Sequence, residues 1–234
     1  MLNMSGSNQI PLFKVFMSDE AAHSVSKVLS SGYITQGPEV EKFEDLLQNY
    51  FHNKNVVTTN SATSSLHLIF HMLKEYGLTE ERIKIESPED HVLTTPLTCT
   101  ATNWPIILNK INLRWVDVDP SNCNMSLESL EKKLNKNTKA VVVVHWGGYP
   151  VDLKKLEAIQ DSFKQKYGFK FVIIEDSAHA FGTNAYGKQI GNTGNISTFS
   201  FQAIKHLTSV DGGCVNFNYD VDAEKAKLLR WFGI

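Results

Sequence analysis

One lysine stands in a segment that is otherwise poor in charge. The segment Ser197 to His206 is rich in apolar and hydroxyl side chains, and Lys205 is its only lysine. Most lysines are solvated surface residues. Removal from water, however, lowers the pKa of a lysine and favours the nucleophilic amine. Lys205 is therefore a candidate nucleophile, and Asp211-Gly212-Gly213 follows it closely.

Two acidic residues end a predicted buried strand. Glu175 and Asp176 come directly after Ile173-Ile174, and α/β sheets place their ligands at the carboxyl ends of strands. A carboxylate that is buried there needs a cationic partner, and a protonated pyridine nitrogen would be one. The alternative is an acid that caps a loop, and this segment alone leaves both interpretations open.

A third segment joins a predicted strand to a predicted helix. Asn60 to Ser65 is small and hydroxyl-rich, so backbone N–H groups at the helix N-terminus could approach an anion closely. Helix starts of this composition are more often simple caps, and the segment alone does not decide between the two.

The elements that must position these residues follow from the hydrophobic pattern. Apolar runs predict strands at 56–59, 91–95, 113–118, 140–145 and 171–175, with helical spacing after 61–63 and after Asp152, a candidate N-cap. The alternation favours one α/β domain, a mostly parallel sheet flanked by helices, preceded by a polar N-terminal arm.

Composition excludes several classes of protein. The 234 residues are 42% hydrophobic and 21% charged with a net charge of −2, which is ordinary for a globular chain and gives no basic surplus for nucleic acid or an anionic membrane. Cys99, Cys123 and Cys214 are odd in number and lack a CxxC spacing, so we expect a reducing cytoplasm and no disulfide scaffold or metal site. We expect neither a membrane span nor a signal peptide.

Four motifs resemble, in order, those of the DegT-type nucleotide-sugar aminotransferases, which are fold-type I pyridoxal 5'-phosphate (PLP) enzymes. They are Gly32 to Pro38, Asn60 to Leu66, Glu175 to Gly182 and Ser200 to Gly213. The stretch Phe199 to Gly213 looks closest to the perosamine and viosamine synthases, which aminate C4 of a 4-keto-6-deoxyhexose. The resemblance runs from about Ile10 to Ile234.

The resemblance implies a three-layer α/β fold and a division of the chain. Residues 1–14 would be an N-terminal arm and residues 15–234 the large PLP-binding domain. Relatives continue into a smaller C-terminal domain that helps to close the site, so its absence here implies truncation. We expect the apolar end at Leu228, Leu229, Trp231 and Phe232 to need a covering partner, and the isolated chain to associate and to transaminate little.

The resemblance also implies roles for the residues in the motifs. Lys205 would carry PLP as a Schiff base and then move protons, and Asp176 would pair with the pyridinium nitrogen. His179 would lie near the phenolic oxygen of the cofactor. Further cofactor-binding positions, at the phosphate, are Ser61, Ala62, Thr63 and Ser200. Thr35 and Gln36 fall in the loop that lies near the sugar nucleotide.

Cys99 departs from the family pattern. Many relatives stack an aromatic ring on the cofactor where this chain has Cys99, so the stacking group is either this smaller side chain or another residue. His145-Trp146 could lie over the site instead, although an aromatic residue at a strand end is more often part of the core.

The implied reaction is a transamination with glutamate as the amino donor and a nucleotide-sugar as the acceptor, carried out by a homodimer. The closest rival is a 3-dehydratase of the same family, which has His in place of the lysine, whereas here Lys205 holds that position before His206. The other rivals are a truncated non-catalytic assembly or binding module and a dinucleotide-binding domain. No GxGxxG follows an early strand to support the latter.

Overall fold

The computed structural model describes residues 10–233, in which helices and strands alternate over most of the length. The helices are α1 (Ala21–Ser31), α2 (Pro38–Phe51), α3 (Ala62–Glu75), α4 (Thr100–Leu108), α5 (Leu127–Lys133), α6 (Leu153–Tyr167) and α7 (Asp220–Arg230). The strands are β1 (Val56–Thr59), β2 (His91–Thr94), β3 (Asn112–Trp115), β4 (Thr138–Val144), β5 (Val172–Asp176), β6 (Asn184–Ala185), β7 (Lys188–Gln189), β8 (Ile196–Ser200) and β9 (Gly213–Asn216).

Seven of the strands form one sheet in the order β1-β9-β8-β5-β4-β2-β3. The pairs from β8 through β5, β4 and β2 to β3 are parallel, and β9 is antiparallel to both β8 and β1. Strand β9 alone therefore runs against the others, and β6 and β7 form a separate hairpin. The predicted α/β fold with a mostly parallel sheet and flanking helices is confirmed.

Local sequence signals fix the ends of the helices that border the site. The Ser61 hydroxyl accepts from the Ser64 N–H and caps α3, and Asp152 accepts from the Lys155 N–H and caps α6, as predicted. Helix α6 ends at Gly168, whose φ of 85° is the left-handed conformation that glycine adopts without strain.

Apolar side chains fill both faces of the sheet. On one face, Val142 and Ile174 pack with Leu66 and Phe70 of α3. On the other, Val143 and Ile173 pack against α6, with Leu156, Ile159 and Phe163 at helical spacing. Because side chains alternate along a strand, the β5 sequence Val-Ile-Ile-Glu-Asp sends Asp176 to the α3 face and Glu175 to the α6 face.

Two segments differ in detail between the sequence-based prediction and the structure. The strand expected at 113–118 is observed at Asn112–Trp115, since its partner β2 ends at Thr94. Of the apolar residues near the end, Leu229 packs against the core, whereas Leu228 is 40% and Phe232 is 86% exposed. Leu229 therefore has a partner within the chain, contrary to expectation.

Within the described residues, no helix has both the length and the apolar character that crossing a membrane requires. Cys99, Cys123 and Cys214 are all free thiols.

Candidate active site

The carboxyl ends of the parallel strands meet at one edge of the sheet, where Asp176 is the last residue of β5. Its carboxylate is buried, and it accepts hydrogen bonds from the Thr102 hydroxyl at 2.6 Å and the Ala178 N–H at 3.1 Å. Among residues 10–233, no cationic side chain forms an ion pair with it. The carboxylate is thus a buried anion held in place by two donors, and a bound cation would stabilise it.

Thr102 is a site residue that the sequence reasoning missed. It is fully buried on α4, one turn after Thr98, and the two hydroxyl oxygens are 2.7 Å apart. Because Thr102 donates to Asp176, the hydrogen between the two threonines must come from Thr98. The available signal was the i, i+4 spacing of the two hydroxyls in a stretch for which no helix was predicted.

Lys205 lies in the loop that follows β8. The loop is closed by the Phe201 N–H, which donates to the Gly212 carbonyl at 2.8 Å, and the Lys205 N–H donates to Gln202 at 2.9 Å. Burial lowers the pKa of the Lys205 amine, while the charges of Asp176 and Cys99 act in the opposite direction. The structure thus brings the predicted nucleophile and the predicted acid into one electrostatic neighbourhood, and the net shift favours the amine.

Strand register gathers the remaining predicted positions. Thr59 and Ser200 both pair with Gly213, so the ends of β1 and β8 lie on either side of the first residue of β9. A Cβ at Gly213 would come within 2.4 Å of the Ala62 nitrogen. Only glycine therefore lets β9 pass directly under the start of α3, and this places Ser200 near that helix.

The first turn of α3 leaves backbone donors free. Ser61 uses its side chain on Ser64, and the amides of Ala62 and Thr63 have no acceptor among the described residues. Unpaired N–H groups at a helix N-terminus, reinforced by the helix dipole, form an anion-binding site. The arrangement suits a phosphate and agrees with the role implied for Ser61, Ala62 and Thr63.

His179 and Cys99 border the same space. Burial lowers the pKa of His179 and the positive charge of Lys205 lowers it further, while the charge of Asp176 acts in the opposite direction, and the net shift favours the neutral ring. The ring meets Trp146 edge to face, with centroids 5.9 Å apart. Cys99 is exposed at the N-cap of α4, close enough to Lys205 for a thiolate there to raise the pKa of the lysine.

The two predicted substrate residues lie further out. Thr35 is exposed in the loop before α2. Gln36 lines a cavity of about 560 Å³, together with Asn60 and Ser64 at the start of α3, and with Arg230 and Trp231. The cavity therefore adjoins the helix start from which the anion-binding amides arise.

His145 lies in the core and not over the site, which is the alternative that the burial tendency of strand-end aromatics favours. It is fully buried on the α6 face of the sheet, where its Nε2 is 3.1 Å from Glu175 Oε2. Only Trp146, the next residue, reaches the site edge. The hydrophobic run that predicted the strand could not reveal that the imidazole has a buried carboxylate as its partner.

The groups at this edge fit PLP. A buried carboxylate without an ion-pair partner suits a protonated ring nitrogen, a half-buried lysine with a lowered pKa suits an aldehyde, and free helix amides suit a phosphate. These three chemical groups occur together in PLP, and the residues that match them lie along a single sheet edge.

Comparison with solved structures gives the same assignment. The sugar aminotransferase CalS13 of Micromonospora echinospora is 41% identical, with a TM-score of 0.89 over 97% of this chain and 58% of CalS13. The proposed sugar aminotransferase Spr1654 of Streptococcus pneumoniae, in its PLP form, is 26% identical, with a TM-score of 0.81 over 94% of this chain and 57% of the other. PLP is thus confirmed as the cofactor of this group of proteins.

Sequence comparison extends the match. The uncharacterized protein MJ1066 of Methanocaldococcus jannaschii is 35% identical over 225 residues, which are 96% of this chain and 54% of MJ1066. The chain therefore spans little more than half the length of its relatives. The profile of the DegT/DnrJ/EryC1/StrS aminotransferase family matches residues 16–234, and the chain belongs to that family.

Proposed function

We propose that this protein is a PLP-dependent aminotransferase that converts a nucleotide-linked 4-keto-6-deoxyhexose to its 4-amino derivative, with glutamate as the donor. The observation that best supports the proposal is the half-buried Lys205 beside the buried Asp176 at the carboxyl edge of the sheet. Family membership supports sugar transamination in general, and the sequence Phe199 to Gly213 supports the choice of C4.

Each residue has a task that follows from its surroundings. PLP, when bound, supplies an electron-withdrawing ring that stabilises negative charge on a neighbouring carbon. Asp176, fixed by Thr102 and Ala178, holds a proton on the ring nitrogen. Lys205, whose burial favours the free amine, takes a proton from one carbon and returns it to another. The neutral His179 borders the site without adding charge to it.

The same surroundings suit the other parts of the ligands. The amides of Ala62 and Thr63, with the Ser200 hydroxyl, would hold the phosphate of the cofactor. Gln36 and Thr35 would contact the sugar nucleotide, and the cavity beside Asn60 gives that substrate room. Residues 15–234 would then act as the large PLP-binding domain and residues 1–14 as an arm.

We also propose that the enzyme is a homodimer. The side chains of Ile10, Leu12 and Phe16 are 95%, 97% and 80% exposed. Apolar side chains so fully exposed in one segment are typical of a surface that a partner covers. Light scattering coupled to gel filtration should give a dimer mass, and a monomer at micromolar concentration would contradict this part.

Product analysis tests the reaction. The protein with PLP and glutamate is incubated with 4-keto-6-deoxy sugars linked to GDP, UDP or dTDP, and the products are examined by mass spectrometry. An amine at C4 with the C3 hydroxyl retained supports the proposal. Loss of the C3 oxygen would identify the 3-dehydratase instead. Because the isolated chain is expected to transaminate little, only PLP binding without even a trace of either product would favour a non-catalytic module.

A further inference from the structure

A second carboxylate lies directly behind the first. Glu175 is fully buried on the α6 face of the sheet, next to Asp176 in sequence. Its Oε2 contacts His145 Nε2 at 3.1 Å, and its Oε1 accepts from Thr193 at 2.7 Å and from Asn195 at 2.6 Å. No residue of the candidate active site is needed to satisfy these atoms.

The hydrogen bonds of His145 and Glu175 show which of their atoms donate and which accept. His145 Nδ1 accepts from the Val151 N–H at 3.1 Å, so it carries no proton, and Nε2–H must donate to Glu175. Asn195 Nδ2 is also a donor only, so both oxygens of Glu175 receive donors. His145 therefore donates through Nε2, and Glu175, as a carboxylate, accepts from all three neighbours and has no lysine or arginine partner within residues 10–233.

His145 also holds the main chain of Asp176. The His145 N–H donates to the Asp176 carbonyl at 3.1 Å, while its ring holds Glu175. His145, which directly follows β4, thus bonds to both Glu175 and Asp176 at the end of β5, and its ring lies on the face of the sheet opposite to Thr102. A carboxylate buried at this depth without a lysine or arginine partner costs folding free energy, and its field extends through a medium of low dielectric to the edge where Asp176 lies.

We propose that His145 and Glu175 form a positioning pair for the cofactor: they fix Asp176 from behind, and the buried charge of Glu175 helps to keep the ring nitrogen protonated. The inference rests on the proposed use of PLP. It adds two residues that act through Asp176, neither of which touches the cofactor.

Glu175→Gln removes the charge and keeps the shape. A glutamine oxygen can still accept from His145, and its amide can meet the Thr193 hydroxyl and a rotated Asn195 carboxamide. The readout is the NMR shift of the ring nitrogen of isotope-labelled PLP bound to the protein. We expect the signal to move toward that of the unprotonated ring and turnover to fall roughly tenfold, with little change in the KM for glutamate.

Asp222→Asn is the matched control, because Asp222 is a carboxylate that is 1% exposed and bonded to Thr79 and Arg82 on a different part of the fold. This variant should lose stability and leave the nitrogen signal unchanged. A signal in Glu175→Gln equal to that of the native protein would overturn the inference.

A second pair of variants covers the case in which Glu175→Gln does not fold. His145→Gln keeps a donor for Glu175 and an acceptor for Val151, whereas His145→Phe keeps neither. We expect a nearly native nitrogen signal from His145→Gln and a displaced one from His145→Phe. Equal native signals from both would refute the positioning role. If native protein itself gives no protonated-ring signal, the proposed PLP function fails and not this inference alone.

Discussion

The two ends of the sheet contrast sharply. At the amino ends of β5 and β8 runs a groove of about 560 Å³, lined among others by Thr79, Phe171 and Ile196. Two of its lysines are paired: Lys164 lies 2.7 Å from Glu81, and Lys170 lies 2.7 Å from Asp161. The other charged side chains that line it are exposed to solvent, namely Glu80, Lys154, Glu157 and Lys188. At the carboxyl ends, Asp176 has no such partner and the pKa of Lys205 is lowered.

The difference teaches that space alone does not identify a functional site. Charged side chains that are paired or solvated need no ligand to stabilise them, whereas a buried carboxylate, a lysine with a lowered pKa and free helix amides are stabilised by one. A smaller difference holds along one strand, where Glu175 has three hydrogen-bond partners and Asp176 has two.

The largest effect on turnover should come from replacing a lysine at the carboxyl edge of the sheet by alanine, compared with the same replacement in the groove. Lys205→Ala removes the amine that attaches the cofactor and moves the proton, and we expect turnover to fall by roughly 100- to 10,000-fold. Lys188→Ala, at an exposed lysine that lines the groove, should change it by no more than about twofold. Borohydride reduction and peptide mapping should find the pyridoxyl group on Lys205, and labelling of Lys188 would reverse the assignment of the two ends.

Exchanging carboxylates for amides gives the next largest effect. Asp176→Asn should still bind PLP but lose about 1.5–3 kcal/mol of charge-assisted stabilisation, which corresponds to roughly a ten- to hundredfold slower turnover. Glu81→Gln in the groove should leave turnover unchanged. Both are measured as kcat in the same coupled assay, and native rates for Asp176→Asn would mean that the acid only caps a loop.

Removing one hydroxyl should have a smaller effect. Thr102→Val deletes the donor to Asp176 Oδ2 while keeping the side-chain volume, and one hydrogen bond of about 1 kcal/mol corresponds to a roughly fivefold slower turnover. Thr102→Ser restores the hydroxyl and should recover most of the rate. If the valine and serine variants behave alike, Thr102 contributes packing alone.

The smallest effect is a shift in titration. Because burial lowers the pKa of Lys205 and the charge of Asp176 raises it, Asp176→Asn should lower that pKa further, so that the free amine forms at a lower pH. NMR titration of the reductively methylated, PLP-free protein would show this, with the exposed Lys188 as the internal reference. An upward shift in Asp176→Asn would contradict the proximity of the two groups.

The sequence predicted the strands at the parallel centre of the sheet better than β8 and β9, which lie toward the β1 edge. The run 140–145 is nearly all apolar because β4 is covered on both faces, and it is observed as Thr138–Val144. Strands β8 and β9 were not predicted. Residues Gly213–Asn216 form a strand through pairing with residues as distant as Val56. Local periodicity contains no record of such a partner.

The candidate site shows the same division. Lys205 and Asp176 stand out by residue type and by family motif, so the amino-acid sequence is enough to single them out. The Thr102 hydroxyl and the His145–Glu175 contact join residues that are 74 and 30 positions apart. Each of these residues is also typical of an ordinary core position, so only the tertiary fold reveals that they contact one another.

The close passage of Gly213 beneath Ala62 has a consequence for how the chain assembles. Within the described part of the chain, strand β1 pairs in the sheet with β9 alone. Residues 56–59 therefore cannot complete their pairing until residues 213–216 have been synthesised. Contacts so distant in sequence close slowly, because the loop between them must first be ordered. On a ribosome, the turn at Ser61 to Thr63 therefore stays without its neighbouring strand β9 until Asn216 has emerged, so the anion-binding turn is completed only after more than 150 further residues have been made.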